Sequence, residues 1–238
     1  MSSSKSWVQP ETADPTWAKP ERMLSGFPWV SAIVLYSLSW GWSLLRPNTF
    51  YWDDWDGYFN KPSGDAFRAV TNMGRAPWAG IAELLLLKLG VWAVTVATFL
   101  VFFCVALFLF EVLTSIKMLT LENRRLLVLA FLLIPVMHAR VAVSIFDYSF
   151  SYFLFYLGWF LLIKYRSNIG FVASCIVLFL SFKTHSFLFF VLLPFLHFAW
   201  LHRQGLKNLR QVNRVHLQLL LLASLPVLYV IARQLLWP

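Results

Sequence analysis

The sequence is poor in cysteine and in acidic residues. Its 238 residues include two cysteines, Cys104 and Cys175, and both lie inside apolar runs. This pair supplies neither a disulfide framework nor the spacing of a zinc site, so we interpret both as small hydrophobic residues. Asp and Glu number 11 against 20 Lys and Arg. Because the basic residues cluster in short segments between apolar runs, they indicate membrane orientation and not a nucleic-acid-binding face.

Long apolar runs are abundant instead. Hydrophobic residues make up 59% of the chain, whereas soluble domains usually contain less than about half. Several runs reach about 18 or more residues, which is enough to cross a bilayer core of about 30 Å. The fold class that we predict is all-α: a polytopic transmembrane helical bundle of about seven spans.

The chain divides into a polar tail and a single transmembrane domain. Residues 1–25 are polar, contain three prolines and predict a disordered cytoplasmic tail, and residues 26–238 form the predicted domain. Within it, residues 46–77 predict an outer loop, and residues 78–89 are too short to cross and predict an interfacial helix. The spans are expected at about Phe27–Leu45, Gly90–Met118, Leu126–His138, Phe146–Ile163, Ile169–Leu201 and Leu217–Leu236.

The run Ile169–Leu201 is too long for one span. It breaks at Lys183-Thr184-His185, which predicts a hairpin of two spans. With the N-terminus in the cytoplasm, most Lys and Arg residues fall on the cytoplasmic side, as the positive-inside bias requires. We therefore predict an integral protein of a bacterial-type inner membrane whose 46–77 loop faces outside.

An acidic, aromatic segment follows the first predicted span directly. Asp53, Asp54 and Asp56 lie here between aromatic residues. Carboxylates are costly to hold near hydrocarbon, so this placement favours a functional role over a solvated loop. Asp53 or Asp54 could act as a general base on an acceptor hydroxyl. Aromatic rings that could stack on the acceptor or on a sugar belong to Trp52, Trp55 and Tyr58.

A divalent metal could bridge Asp53 and Asp54. No further carboxylate is tied to that pair by the sequence. We therefore expect no metal site and no other cofactor.

Ionisable residues at the outer ends of later spans complete the candidate site. The third and fifth predicted spans have about 13 and 14 residues, or roughly 20 Å, so their outer ends should stop below the membrane surface. Charges there should face a wet cavity or each other, and cations could hold a phosphate leaving group. The candidates for substrate and phosphate binding are Arg75, His138, Arg140, Asp147, Lys183 and His185.

Each of these candidates has a structural alternative. Asp147 could cap its helix, and Lys183 with His185 could form a polar hairpin tip. His138 with Arg140 could snorkel at a helix end, and Arg75 could anchor a surface helix. Two residues toward the cytoplasm are interpreted as structural only: His197 as a packed or snorkelling residue, and Glu111 as a partner of Lys117 or of a neighbouring helix.

A second short motif lies in the same loop as Asp53-Asp54, at Gly74-Arg75-Ala76-Pro77. A hydrophobic span followed by an aromatic-flanked Asp-Asp pair and a Gly-Arg-Pro element resembles the GT-C class of integral-membrane glycosyltransferases, in particular the O-antigen glucosyltransferase type. This chain has one more residue between Arg and Pro. The resemblance implies sugar transfer from a polyprenyl-phosphate donor to a glycan or lipid acceptor at the outer face, with Asp53 or Asp54 as the base. Such enzymes share a module of about seven spans and then add a variable part, so the chain is expected to be a shortened member.

Two other classes of function stay open. A transporter or flippase-like carrier would place ionisable groups near the bilayer midplane, often on broken helices in repeated halves. The sequence has no internal repeat, and its charges gather at one face, which favours the enzyme. The third class is a noncatalytic membrane component or a gene fragment. The partners expected for the enzyme are the lipid bilayer, the polyprenyl-phosphate-sugar donor and the acceptor, with no nucleic acid.

Overall fold

The computed structural model of the protein describes residues 27–49, 77–133, 142, 146–165, 167–183, 186–203 and 214–236. Within these ranges the regular elements are all helices. In chain order they are α1 (Trp29–Trp40), α2 (Trp42–Leu45), α3 (Pro77–Leu87), α4 (Val91–Thr114), α5 (Leu121–Leu133), α6 (Phe146–Lys164), α7 (Asn168–Ser181), α8 (Ser186–Phe190), α9 (Leu192–Leu201) and α10 (Arg214–Leu236). The predicted tail and most of the predicted outer loop lie outside the described residues.

Three of these helices, α4, α6 and α10, are long and apolar enough to cross a membrane. The 24 residues of α4 correspond to about 36 Å, more than a bilayer core of about 30 Å. Large apolar side chains also point outward, such as Val30, Ile169 and Leu235, each more than 75% exposed. A surface of this kind suits lipid and not water. The all-α, membrane-embedded class is thus confirmed, and the count of about seven spans stays a prediction.

Some helix bounds differ from the predicted ones for local reasons. The first span is interrupted at Gly41, whose φ of 48° ends α1. Helix α5 begins at Leu121 and not near Leu126, because the Thr120 hydroxyl accepts a hydrogen bond from the backbone N–H of Asn123 at 3.2 Å. Thr120 is therefore the N-cap residue, and the helix begins within the polar segment that precedes the apolar run. The predicted hairpin break is confirmed, since α7 ends at Ser181 and α8 begins at Ser186.

The helices alternate in direction, which gives the bundle two ends. At one end the rings of Phe27 and Phe110 lie 5.1 Å apart, so the start of α1 meets the end of α4. At the other end the Thr95 hydroxyl, near the start of α4, donates to the Pro47 carbonyl at 3.0 Å. We name the ends by the predicted orientation. The inner end holds Phe27, Glu111, Lys164 and His197, and the outer end holds Asn48, Trp92, Asp147 and Lys183.

Among the described helices, α6 and α7 make the most extensive contact. A Cβ added at Gly158 would meet the Leu178 side chain at 2.7 Å and the Leu178 backbone nitrogen at 3.1 Å. The Ser174 hydroxyl donates to the Gly158 carbonyl at 2.7 Å. A small residue that lets two backbones approach, joined by a hydroxyl hydrogen bond, is typical of membrane helix pairs. This contact fixes the register that brings the end of α7 to the start of α6.

The second half of the hairpin is interrupted between α8 and α9. Pro194 lies four residues after Phe190, the last residue of α8. A proline cannot donate to the carbonyl four residues earlier and its ring clashes with that carbonyl, so the helix breaks there. Around the break, Phe187, Val191 and Phe198 are buried in one apolar cluster with Phe155.

Candidate functional site at the outer end of the bundle

Two of the predicted site residues, Asp147 and Lys183, form an ion pair. The Lys183 ammonium donates to Asp147 Oδ2. The side chain of Asp147 is fully buried and that of Lys183 is 6% exposed. The structural alternative of a polar hairpin tip stays open for Lys183, which lies between α7 and α8 with its ammonium turned into the bundle. The two residues are 36 positions apart and meet only because α6 and α7 pack antiparallel.

The helix ends favour this arrangement of charges. Asp147 is the second residue of α6 and Lys183 lies just after the last turn of α7. An anion is stabilised at the N-terminus of a helix and a cation at the C-terminus. The backbone therefore supports both charges before they interact. A buried pair still needs this support, since removal of two charges from water is expensive.

The start of α6 is packed against α3 and α4. Phe146 is 2% exposed and shares an apolar cluster with Val94 of α4 and with Leu86 of α3. The Ser151 hydroxyl is buried and donates to the Asp147 carbonyl at 2.9 Å. Asp147 is consequently held on one side by packing and on the other by Lys183.

Sequence reasoning missed one acidic residue near this site. Glu83 of α3 is only 2% exposed, although the helix was expected to lie in the membrane interface. Helix α3 packs against both α4 and α6. The available signal was a single acid followed by four leucines, because a carboxylate in an apolar helix usually faces the protein interior. Whether α3 lies in an interface stays a prediction.

The chain leaves α2 toward the acidic loop at this same end. The Asn48 side-chain oxygen accepts a hydrogen bond from the Trp92 backbone N–H at 3.2 Å. Gly90, the N-cap residue of α4, offers no side chain and has a φ of 117°. Asn48 thus caps α4 from a distant part of the chain. Asn48 therefore lies beside the start of α4, where Val94 shares an apolar cluster with Phe146.

The other predicted site residues lie outside the described part of the chain, and their roles stay predictions. They are Trp52, Asp53, Asp54, Trp55, Tyr58, Arg75, His138, Arg140 and His185. Among the described residues, no group of three or more His, Cys, Asp or Glu side chains could hold a metal ion. Asp53 and Asp54 lie outside the described residues, so this finding about metal sites does not apply to them.

The inner end is held by neutral and partly exposed contacts. The Trp159 indole N–H donates to His197 Nδ1 at 3.1 Å. The proton of the neutral ring must then be on Nε2, which lies 3.0 Å from the Ser115 hydroxyl oxygen. One imidazole thus joins α6, α9 and the end of α4. The interpretation of His197 as a packed residue is confirmed.

Glu111 pairs with a neighbouring helix, which is one of the two alternatives that the sequence left open. Its Oε2 lies 3.8 Å from Nζ of Lys164. Lys164 ends α6, so this contact joins α4 to α6 at the inner end. Both side chains keep part of their surface exposed, which leaves the pair open to solvent or lipid headgroups.

Comparison of the chain with protein-family models, with curated proteins and with solved structures found no match. The site must therefore be interpreted from its own residues.

Proposed function

We propose that the protein is a membrane-embedded glycosyltransferase that moves a sugar from a polyprenyl-phosphate donor to a glycan or lipid acceptor at the outer face. The observation that carries the proposal is the buried Asp147–Lys183 pair. Ionisable groups inside a membrane bundle are costly and usually mark a functional site. The pair lies at the end from which the chain enters the segment that carries Asp53 and Asp54.

The depth of the pair supports the proposal. Helix α7 has 14 residues, or about 21 Å, and so is shorter than a bilayer core of about 30 Å. If the inner end lies at the cytoplasmic boundary, Lys183 is below the outer membrane surface. In this proposal the phosphate of the lipid-linked donor is drawn below the headgroup level to reach Lys183.

In the proposed reaction, Asp53 or Asp54 removes the proton from the acceptor hydroxyl. The acceptor oxygen then bonds to the anomeric carbon, and the bond from that carbon to the phosphate oxygen breaks. The polyprenyl phosphate leaves with the electron pair, and cations stabilise its charge. In this scheme Asp147 is a positioning residue for Lys183, because a carboxylate repels a phosphate.

Asp53→Asn and Asp54→Asn test the general base. We expect both variants to insert in the membrane at the normal level and at least one to abolish sugar transfer. The readout is mass spectrometry of surface polysaccharide and glycolipid from cells with each variant, with wild type and without the gene. Asp65→Asn is the matched control, since it changes a carboxylate of the same segment outside the motif. Full activity in both motif variants would refute the assignment of the base.

The orientation needs a separate test. A reporter fused after Lys61 should score as outside and one fused after Arg210 as cytoplasmic. The reverse result would place Asp53 and Asp54 in the wrong compartment for the proposed donor.

A carrier is the second candidate, and the interruption between α8 and α9 favours it. Broken helices form the substrate sites of many transporters. The side chains around this break are apolar, however, and the ionisable side chains of the buried pair belong to the end of α7 and the start of α6. Movement of a fluorescent lipid across proteoliposomes without any change of glycan would support the carrier over the enzyme.

A further inference from the structure

A cavity of about 200 Å³ lies at the inner end, far along the bundle from the Asp147–Lys183 pair. It is bounded by the end of α6, the start of α7, the end of α9 and the start of α10. Its apolar side includes the buried rings of Phe171 and Phe198. Its polar lining includes Tyr165, His202, Arg214 and Gln218. The cavity thus combines an apolar floor with a polar rim.

The sign of the charge at this cavity is set by side chains. Two helices begin there and two end there, so their dipoles offset one another. Arg214 contributes a permanent positive charge and is exposed to the surroundings. His202 donates through Nδ1 to the Phe198 carbonyl at 3.0 Å. Its N–H is therefore already engaged, and an anion in the cavity would meet the Arg214 cation and the donors of Tyr165 and Gln218.

None of the described residues that line this cavity is acidic. The sequence from Tyr148 to Pro238 contains no Asp and no Glu. All four helices that bound the cavity take their lining residues from this acid-free part of the chain. The Glu111 carboxylate on α4 faces Lys164 instead. An anion from outside the protein would therefore meet no acidic side chain in this lining.

We propose that this cavity binds the phosphate of an anionic phospholipid of the membrane leaflet at the inner end. The guanidinium of Arg214 matches phosphate geometry, and the Tyr165 hydroxyl and Gln218 amide can donate to the remaining oxygens. The phenylalanine rings suit the first carbons of an acyl chain. A free phosphate ion would gain nothing from that apolar floor, so the lipid fits better. The proposal is independent of the proposed sugar transfer.

Native mass spectrometry of the detergent-purified full chain tests this site. Phosphatidylglycerol and phosphatidylcholine are titrated in separate arms, and inorganic phosphate is titrated in a third. We expect the wild type to bind one phosphatidylglycerol more tightly than phosphatidylcholine, and Arg214→Gln to weaken that binding about fivefold, the usual worth of one cation near a membrane surface. Arg214→Lys should recover most of it.

Arg233→Gln is the matched control, because it removes the same charge from the opposite end of α10. It should leave the affinity for phosphatidylglycerol unchanged. Equal affinities in Arg214→Gln and wild type, or equal losses in the two Gln variants, would overturn the site. Binding of inorganic phosphate without preference for the lipid would overturn the lipid assignment.

A cavity-filling variant, Val215→Phe, should also weaken lipid binding while all charges stay in place. This result would separate binding in the cavity from attraction of the lipid to the overall positive charge.

Discussion

The two ends of the bundle each carry an ion pair that joins α6 to a neighbour, and the two pairs differ in burial. Asp147 and Lys183 at the outer end are in hydrogen-bond contact and almost fully buried. Glu111 and Lys164 at the inner end are 3.8 Å apart and keep 13% and 22% of their side-chain surface exposed. An exposed pair contributes little to stability, whereas a buried pair costs desolvation that only good geometry offsets. A fold therefore keeps a pair like the outer one only where packing or function requires it.

The largest expected effect is at the outer pair. Lys183→Met leaves the Asp147 carboxylate buried beside an apolar side chain. We expect a loss of about 3–5 kcal/mol in the free energy of unfolding, because a lone buried charge remains. Unfolding of the purified protein by dodecyl sulfate in mixed micelles measures it.

The double variant Asp147→Asn, Lys183→Met is the control for that loss. It removes both charges and should recover most of the stability. It should nevertheless lack sugar transfer if Lys183 serves the proposed reaction. A single variant as stable as the wild type would show that the pair is not buried as described.

The second prediction concerns the contact that brings the outer pair together. Gly158→Ala would place a Cβ 2.7 Å from the Leu178 side chain and 3.1 Å from the Leu178 backbone nitrogen, which cannot move aside as a side chain could. We expect a loss of about 1–3 kcal/mol, the usual cost of overpacking. Ser174→Ala is the milder control, since it removes only the hydroxyl bond to Gly158 and should cost about 0.6 kcal/mol. If Gly158→Ala is neutral, α6 and α7 do not approach this closely.

The third prediction tests the neutral contacts of the inner end. His197→Phe keeps a ring of similar size and leaves the Trp159 N–H without its acceptor. We expect a loss of about 1 kcal/mol, the worth of a hydrogen bond. Trp159→Phe and the double variant complete a double-mutant cycle. The double variant should lose less stability than the sum of the two single variants, since both single changes remove the same hydrogen bond. Additive losses would show that the two side chains do not interact.

The apolar runs predicted most of the fold, because hydrophobic length alone marks membrane helices. The start of α6 at Phe146 and the break after Lys183 followed directly from that pattern. The start of α5 did not follow from it, because a Thr120 cap extends the helix into charged residues and a hydropathy pattern does not register caps.

At the site, Asp147 and Lys183 were both selected from the sequence as charges at span ends. The ion pair between them was not predicted, because it depends on the register that Gly158 sets between α6 and α7. Glu83 was missed because a short apolar helix was expected at the surface.

The smallest expected effect is at the inner pair and completes the comparison. Lys164→Met replaces the lysine of the inner pair, just as Lys183→Met replaces the lysine of the outer pair. The inner pair also joins α6 to a neighbouring helix, α4. Because the Glu111 side chain keeps contact with the surroundings, its charge can be solvated once Lys164 is gone. We expect a loss of at most about 1 kcal/mol, measured by the same dodecyl sulfate titration. High salt should reduce the small difference further, since exposed charges are screened. A loss as large as that of Lys183→Met would mean that burial does not separate the two ends, and the buried outer pair would then no longer point to a site.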